Sequence, residues 1–344
     1  MKRNYIFLLT IIIVTLTPSF LRAQQKSETV KQVITANGGR FESTPPFNDF
    51  ATVQSYDPTT QMVDNFNTIY TQSVQDVVIS GNIAYVAAQD SIIMYNIDTH
   101  VRIGAIADSG LSKLYLYKGA LIVSKQYPVK RFFVEVLDAG SLALLARVQN
   151  ISGECAGITS ANDIIYVANN GGYAGTTGKL EAINPVDWTL INEFDLGQNA
   201  VGIYNLYYWS GNIFSVNRTP FGASDTGSIS RFDYINGTFT TKVLGTRIGD
   251  GFGIKDNLLY LKINEGMGSY DLQTQTIADT TIVPDPGSAV DITIHAGAID
   301  YVNSRAYLQI GNRNSFGIGV VTSLTGDSIT SFSTGVNAEA MAID

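Results

Sequence analysis

A short strand-like segment recurs along the chain, and its spacing leaves few folds open. Each copy starts at a small or polar turn and runs through apolar residues and Tyr. The copies are Ile83-Ala84-Tyr85-Val86, Ala120-Leu121-Ile122-Val123, Ile164-Ile165-Tyr166-Val167, Ile213-Phe214-Ser215-Val216, Leu258-Leu259-Tyr260-Leu261 and Ala306-Tyr307-Leu308, with a degenerate first copy at Val33-Ile34-Thr35. A second recurring segment ends in a polar turn headed by Asp57, Asn96, Asp138, Asn184, Asp233, Asp271 or Thr322. Asp and Asn suit such a turn because their side chains accept hydrogen bonds from nearby backbone N–H groups. The period is about 44 residues, room for four short strands. One four-stranded unit has two apolar faces that it cannot bury alone, whereas units packed around an axis bury each face against a neighbour. Seven such units nearly exhaust the chain, and no stretch carries a long amphipathic helical pattern. The expected fold is all-β, a seven-bladed β-propeller with four-stranded antiparallel blades.

The two ends of the chain complement each other. Residues from about 30 to 63 lack a preceding inner strand, and residues 336–344 read as an inner strand without followers. Joined, they complete the first blade and close the ring. Upstream of residue 24, Lys2 and Arg3, an apolar run from Tyr5 to Thr17, Pro18 and the Leu21-Arg22-Ala23 site read as a cleaved signal peptide, residues 1–23. The run is too short for a membrane span, so no transmembrane segment is expected after cleavage. A single propeller domain over 24–344, monomeric and secreted, periplasmic or displayed at the cell surface, is the expected mature product. The one Cys, Cys155, lies well beyond the cleavage point, so a lipoprotein anchor is not expected.

Composition narrows the function. The chain has 22 Lys and Arg against 30 Asp and Glu, a net charge of −8, and removal of the leader takes away further basic residues. Nucleic acid is therefore not an expected partner. Two His and one Cys exclude an intramolecular disulfide and leave little material for His-based metal sites or triads. No cofactor is assigned. Cys155 stands in an inner strand among small residues, where a thiol packs as a small apolar group.

The strand and turn pattern, clearest at Ile83–Thr99 and Leu258–Thr274, resembles the secreted YVTN-type, surface-layer-like β-propellers. The opening Val33-Ile34-Thr35-Ala36-Asn37-Gly38-Gly39-Arg40-Phe41, followed by Ala51 to Asp57, is similar to the start of a subgroup built on that fold. That subgroup usually has Asn-Glu-Gly where this chain has Asn37-Gly38-Gly39. The resemblance spans residues 30–344 and implies a binding propeller of the cell envelope. Some members of the subgroup capture cobalamin and hand it to a TonB-dependent transporter of the outer membrane, so a nutrient or cofactor of that kind is one implied ligand. The residues carrying the resemblance build blades; none of them recognises a corrin.

Blade geometry says where a ligand would bind. The loop from second to third strand shares a face with the connection from one blade to the next. The long loops here are of the first kind: 37–48, 125–132, 169–178, 217–227 and 311–317. They carry Arg40, Phe41, Tyr127, Lys130, Arg131, Phe132, Tyr173, Arg218, Phe221, Arg313 and Phe316. Aromatic rings supply rigid apolar area and Arg supplies forked donors, a combination suited to a planar or anionic ligand or to a protein partner. A second constellation, Asp76, Glu154, Asp250, Asp291 and Glu339, falls near the starts of five inner strands. At separations of roughly 8 Å, each such pair would repel by about 2 kcal/mol. Compensation could come from a cationic ligand group, from Lys113 and Arg247, or from Ca²⁺, but no acidic loop with metal-ligand spacing occurs and no metal is assigned.

The expected role is non-catalytic binding on the long-loop face. A lactonase-like hydrolase using funnel carboxylates is the alternative, and a protein–protein scaffold a third. His100, in a turn between third and fourth strands, and His295, placed toward the far end of an inner strand, are both expected on the opposite face. No His–carboxylate acid–base pair is therefore expected.

Overall fold

In a computed structural model, described over residues 30–287 and 291–344, the chain forms seven four-stranded antiparallel sheets. The expected signal peptide lies outside the described residues. Blade 1 combines β1 (Val33–Asn37), β2 (Ala51–Tyr56) and β3 (Val63–Ile69) with the last strand, β28 (Ala338–Ile343). β28 pairs with β1 from Val33↔Ile343 to Asn37↔Ala338, so the two ends of the described chain close the ring within one sheet. The other six blades take four consecutive strands each. Their inner strands are β4 (Val74–Ser80), β8 (Leu111–Tyr117), β12 (Cys155–Ala161), β16 (Ile203–Trp209), β20 (Ile248–Lys255) and β24 (Thr293–Asp300). Among the described residues no helix is long and apolar enough to cross a membrane.

Alternation along each strand sends one set of side chains to each face of a blade, and each face meets a neighbouring blade. The core is accordingly divided into seven apolar slabs, one between each pair of blades. The recurrent aromatic residue of the second strand sits in these slabs: Tyr85, Tyr166, Phe214, Tyr260 and Tyr307 are all buried. Tyr85 also donates its hydroxyl to the Ala139 carbonyl of the next blade at 2.7 Å. Cys155 lies in the slab between blades 3 and 4, where burial pushes its thiol well above the usual range.

The polar turns form as the residues imply. Asp57, Asn96, Asp138, Asn184, Asp233 and Asp271 each accept from a backbone N–H two or three residues on. In the seventh blade Ser323 fills this place, accepting from Thr325 N–H at 3.3 Å, and the expected Thr322 is one residue early. Four residues after the turn head the backbone is left-handed in six blades, at Gln61, His100, Leu142, Trp188, Gly237 and Gln275. His100 is thus a turn residue, stacked on Phe66 at 4.2 Å on the face away from the long loops.

Candidate functional site

The site begins with a fault repeated in every blade. Pairing between inner and second strand slips in the first half of β4 (Val74/Asp76), β8 (Leu111/Leu114), β12 (Cys155/Ile158), β16 (Ile203/Asn205), β20 (Ile248/Gly251) and β24 (Ile294/Ala296). In blade 1 the slip lies between Ala36 and Asn37, opposite Ala340 and Ala338. A bulge leaves a residue unpaired and re-aims its side chain. Seven bulges at one level around an axis give a ring of re-aimed side chains, among them Gln75, Lys113, Tyr204, Asp250, His295 and Glu339.

These residues enclose two spaces along the axis. A channel of about 310 Å³ is lined by residues of all seven inner strands. Above it, on the long-loop face, a mouth of about 480 Å³ adds Gln75, Gln126, Tyr204, Arg218, Lys262 and Arg313. Lys113, Asp250, His295 and Glu339 line both.

Charges in the mouth are arranged in pairs. Lys113 Nζ lies 3.3 Å from Asp76 Oδ1, and Asp76 Oδ2 accepts the Leu114 N–H at 2.8 Å. Burial opposes the charge on Lys113, yet Asp76, Tyr204 and Asp250 together outweigh it and hold the ammonium more basic than usual. Arg218 pairs with Asp250 and lays its guanidinium 3.2 Å from the centroid of the Tyr204 ring. Lys262 meets Glu265 at 2.7 Å, and Arg247 lies 3.7 Å from the same carboxylate. Glu339 is different: its oxygens take the Val74 N–H at 2.5 Å and Asn337 Nδ2 at 2.8 Å, both neutral donors. Burial raises its pKa to about 7, against the pull of these two donors and of Arg313. His295 donates from Nε2 to the Gly311 carbonyl at 3.0 Å, and burial, together with the Lys262 and Arg313 charges, lowers its pKa.

Of the residues picked from the sequence, Asp76, Asp250, Glu339, Arg218 and Arg313 converge on the mouth and channel. Glu154 does not line either space; its carboxylate lies over Gly172 in the blade 4 loop. Asp291 is exposed in a left-handed turn before β24, and His295 takes the ring position of blade 7. The expected placement of His295 at the far end of its strand is therefore corrected. The bulge level, marked by a buried apolar residue just before it (Val74, Leu111, Ile203, Ile248, Ile294), falls at His295. Aligning inner strands on that apolar residue finds His295, Gln75 and Tyr204, which the reading by charge alone missed.

The aromatic residues of the long loops are largely exposed, and none of them lines the mouth itself. Tyr173 and Phe221 are about nine-tenths exposed, at 91% and 90%, with ring centroids 6.4 Å apart across blades 4 and 5. Tyr127 and Phe41 are exposed, and Phe316 less so. Tyr70, on the connection from blade 1 to blade 2, joins them and packs edge-on against Phe50 at 5.1 Å. Arg40 donates to the Asn314 carbonyl at 3.0 Å and the Phe41 N–H to the Arg313 carbonyl at 3.0 Å, tying the blade 1 and blade 7 loops together. Arg131 lies over Phe132 at 5.0 Å, outside the mouth.

No protein-family profile matches the sequence, and no curated protein matches it. Solved structures do match in shape. Hydrazine synthase of Kuenenia stuttgartiensis has a TM-score of 0.63 at 12% identity, over 79% of this chain and 89% of that one. A functionally unknown protein from Desulfotomaculum acetoxidans has a TM-score of 0.63 at 11% identity, over 91% of this chain and 98% of that one. The RRP9 WD40 repeats reach 0.60 at 10% identity, over 78% and 83%. At such identities the likeness is one of fold alone, the β-propeller.

Proposed function

We propose that the protein is a non-catalytic binding propeller that captures a ligand at the mouth of its central channel, on the long-loop face. The observation that carries this reading is the ring of bulges: all seven inner strands break their pairing at one level, and all but that of blade 4, where Ala156 and Gly157 stand at the bulge, turn a polar side chain toward the axial space. A bulge sacrifices ladder hydrogen bonds, and repeated bulges beside a cavity point to a site. Phe41, Tyr70, Tyr127, Tyr173 and Phe221, exposed on the loops and on the connection from blade 1 to blade 2, add rigid apolar area suited to holding a flat or bulky ligand, or a protein partner, on that face. The signal-like leader and the resemblance to YVTN-type propellers support a cell-envelope location and capture of a nutrient or cofactor, cobalamin among them, for an outer-membrane transporter.

The test is a titration of purified protein with a panel of small molecules that includes corrinoids, read by corrinoid absorbance and by thermal unfolding. A ligand at a hundred times its Kd stabilises the folded state by about 2.7 kcal/mol, which is a measurable rise in midpoint. Tyr173→Ala together with Phe221→Ala should weaken a flat ligand without lowering the unfolding midpoint of the free protein. If nothing in the panel shifts absorbance or midpoint, a protein–protein role becomes the preferred reading.

His295 gives the hydrolase reading a specific foothold. A half-buried His and a carboxyl whose pKa is raised to about 7 share one cavity, the composition of an acid–base pair. The binding reading expects no turnover of lactones or simple esters. Hydrolysis that is lost in both His295→Gln and Glu339→Gln would replace it.

A further inference from the structure

The pairing of charges in the mouth indicates what the ligand carries. Lys113, Arg218 and Lys262 are each committed to a carboxylate: Asp76, Asp250 and Glu265. Two charged residues remain. Glu339, on blade 1, has only neutral donors and no ion pair among the described residues. Arg313, on the adjoining blade 7, lines the mouth with an exposed side chain and likewise has no ion pair among the described residues. The two are close enough for the guanidinium to favour ionised Glu339, yet they are not in contact as an ion pair. Beside Glu339, on blade 2, Gln75 lines the same mouth, and its Oε1 is buried without a hydrogen-bond partner.

This is a divided recognition set. Ionised Glu339 and the Gln75 carbonyl oxygen are acceptors on one side, matched to the N–H groups of an ammonium. On the other side, the Arg313 fork matches the two oxygens of a carboxylate. A buried acceptor without a donor costs about 1–3 kcal/mol, and a ligand N–H would relieve it. A ligand with a single charge would satisfy one side and leave the other unpartnered.

We propose that the mouth binds a small zwitterion, its ammonium group on Glu339 and Gln75 and its carboxylate on Arg313. The proposal rests on the reading of the mouth as a ligand site and names the chemical class held in its polar part.

The experiment is calorimetric titration of the purified protein at pH 8 with glycine, β-alanine and γ-aminobutyrate, which space the two charges at increasing distance, and with butylamine and butyrate as single-charge controls. At least one zwitterion is expected to bind about tenfold or more tightly than both controls. Glu339→Gln, which keeps the shape and removes the charge, and Arg313→Gln on the exposed rim should each erase that advantage, with circular dichroism unchanged. Butyrate or butylamine binding as well as every zwitterion overturns the proposal, as does full affinity in Glu339→Gln. If none of the five binds while another small molecule of the wider panel does, the zwitterion is excluded and the binding site stands; if nothing binds at all, both readings fall.

Discussion

Glu181 is wholly buried in blade 4 and lies directly opposite Glu193 on the neighbouring strand. Like charges at that spacing repel, and the surroundings divide the burden unequally. Glu193 is kept ionised by Lys179 at 2.7 Å and by the Ser152 hydroxyl at 2.6 Å. Glu181 has Asn169 Nδ2 at 2.5 Å, and burial, with Glu193 beside it, raises its pKa to about 7. A carboxyl raised in the folded state contributes stability that is complete below its unfolded pKa, near 4.5, and is lost as pH rises through 7. Glu339 acts in the same direction and window. Glu193, held below its ordinary value, acts only as pH falls below that range. His295, whose lowered pKa costs stability as pH falls through 6.5, opposes the two raised carboxyls as a single group against two. The unfolding midpoint should therefore rise as pH is lowered from 8 to 5. Glu181→Gln should flatten that slope and stabilise the protein at pH 8 by roughly 1–3 kcal/mol. Stability that increases with pH across this window would contradict the assignment. Asn169 also belongs to a recurring device: Asn37 and Asn217 end the second strands of blades 1 and 5, buried and bonded to third-strand side chains. In blade 3, Lys125 fills the place and joins Asp108 to Glu135.

Among elements, the inner strands are the most crowded, because seven of them share one axis. Gly157 shows how closely they approach: a Cβ there would stand 2.1 Å from the Tyr204 carbonyl oxygen of the next inner strand, a backbone atom that cannot swing aside. Gly157→Ala should cost about 1–3 kcal/mol by overpacking, whereas Gly140→Ala, in an open turn with one contact at 3.4 Å, should stay within about 0.5 kcal/mol. Chemical denaturation of the two variants tests the contrast, and equal costs would mean that the inner ring is looser than its spacing suggests. The same crowding explains what could be read from sequence. Second strands and the turns after third strands announce themselves, since Tyr85 or Tyr260 needs an apolar slab and Asp138 or Asp233 needs turn amides, and both demands are local. Inner strands carry no such signature. Their function lies in a bulge whose level depends on partner strands, so charge points to Asp76, Asp250 and Glu339 but puts Asp291 where His295 stands and His295 at the far end of its strand. Which charges remain without a partner depends on contacts between blades, and pattern reading does not reach them.

At the scale of the whole molecule, stability comes from seven slabs and one join. The slab between blades 7 and 1 has a small buried set: Val33, Tyr56, Tyr307, Val321 and Phe332, with Tyr56 stacked on Phe332 at 4.0 Å. It is also where the two ends meet, so the ring stays shut there by this slab and by the ladder between β1 and β28. β28 has a second task, since it carries Glu339 into the mouth. Removing residues 336–344 would strip the inner strand from blade 1, expose the hydrogen-bonding edge of β1 and uncover the slab against blade 2, where Ala340 is buried. The expected result is a fall in unfolding midpoint of roughly 10 °C or more, with loss of a single cooperative transition. If the shortened chain is insoluble, Phe332→Ala in the full chain tests the same join, with an expected cost of about 3–5 kcal/mol for a buried aromatic ring. An unchanged midpoint in the deletion would mean that the slabs alone hold the ring. In that case β28 would be retained for the site it completes, and binding would be lost while stability was kept.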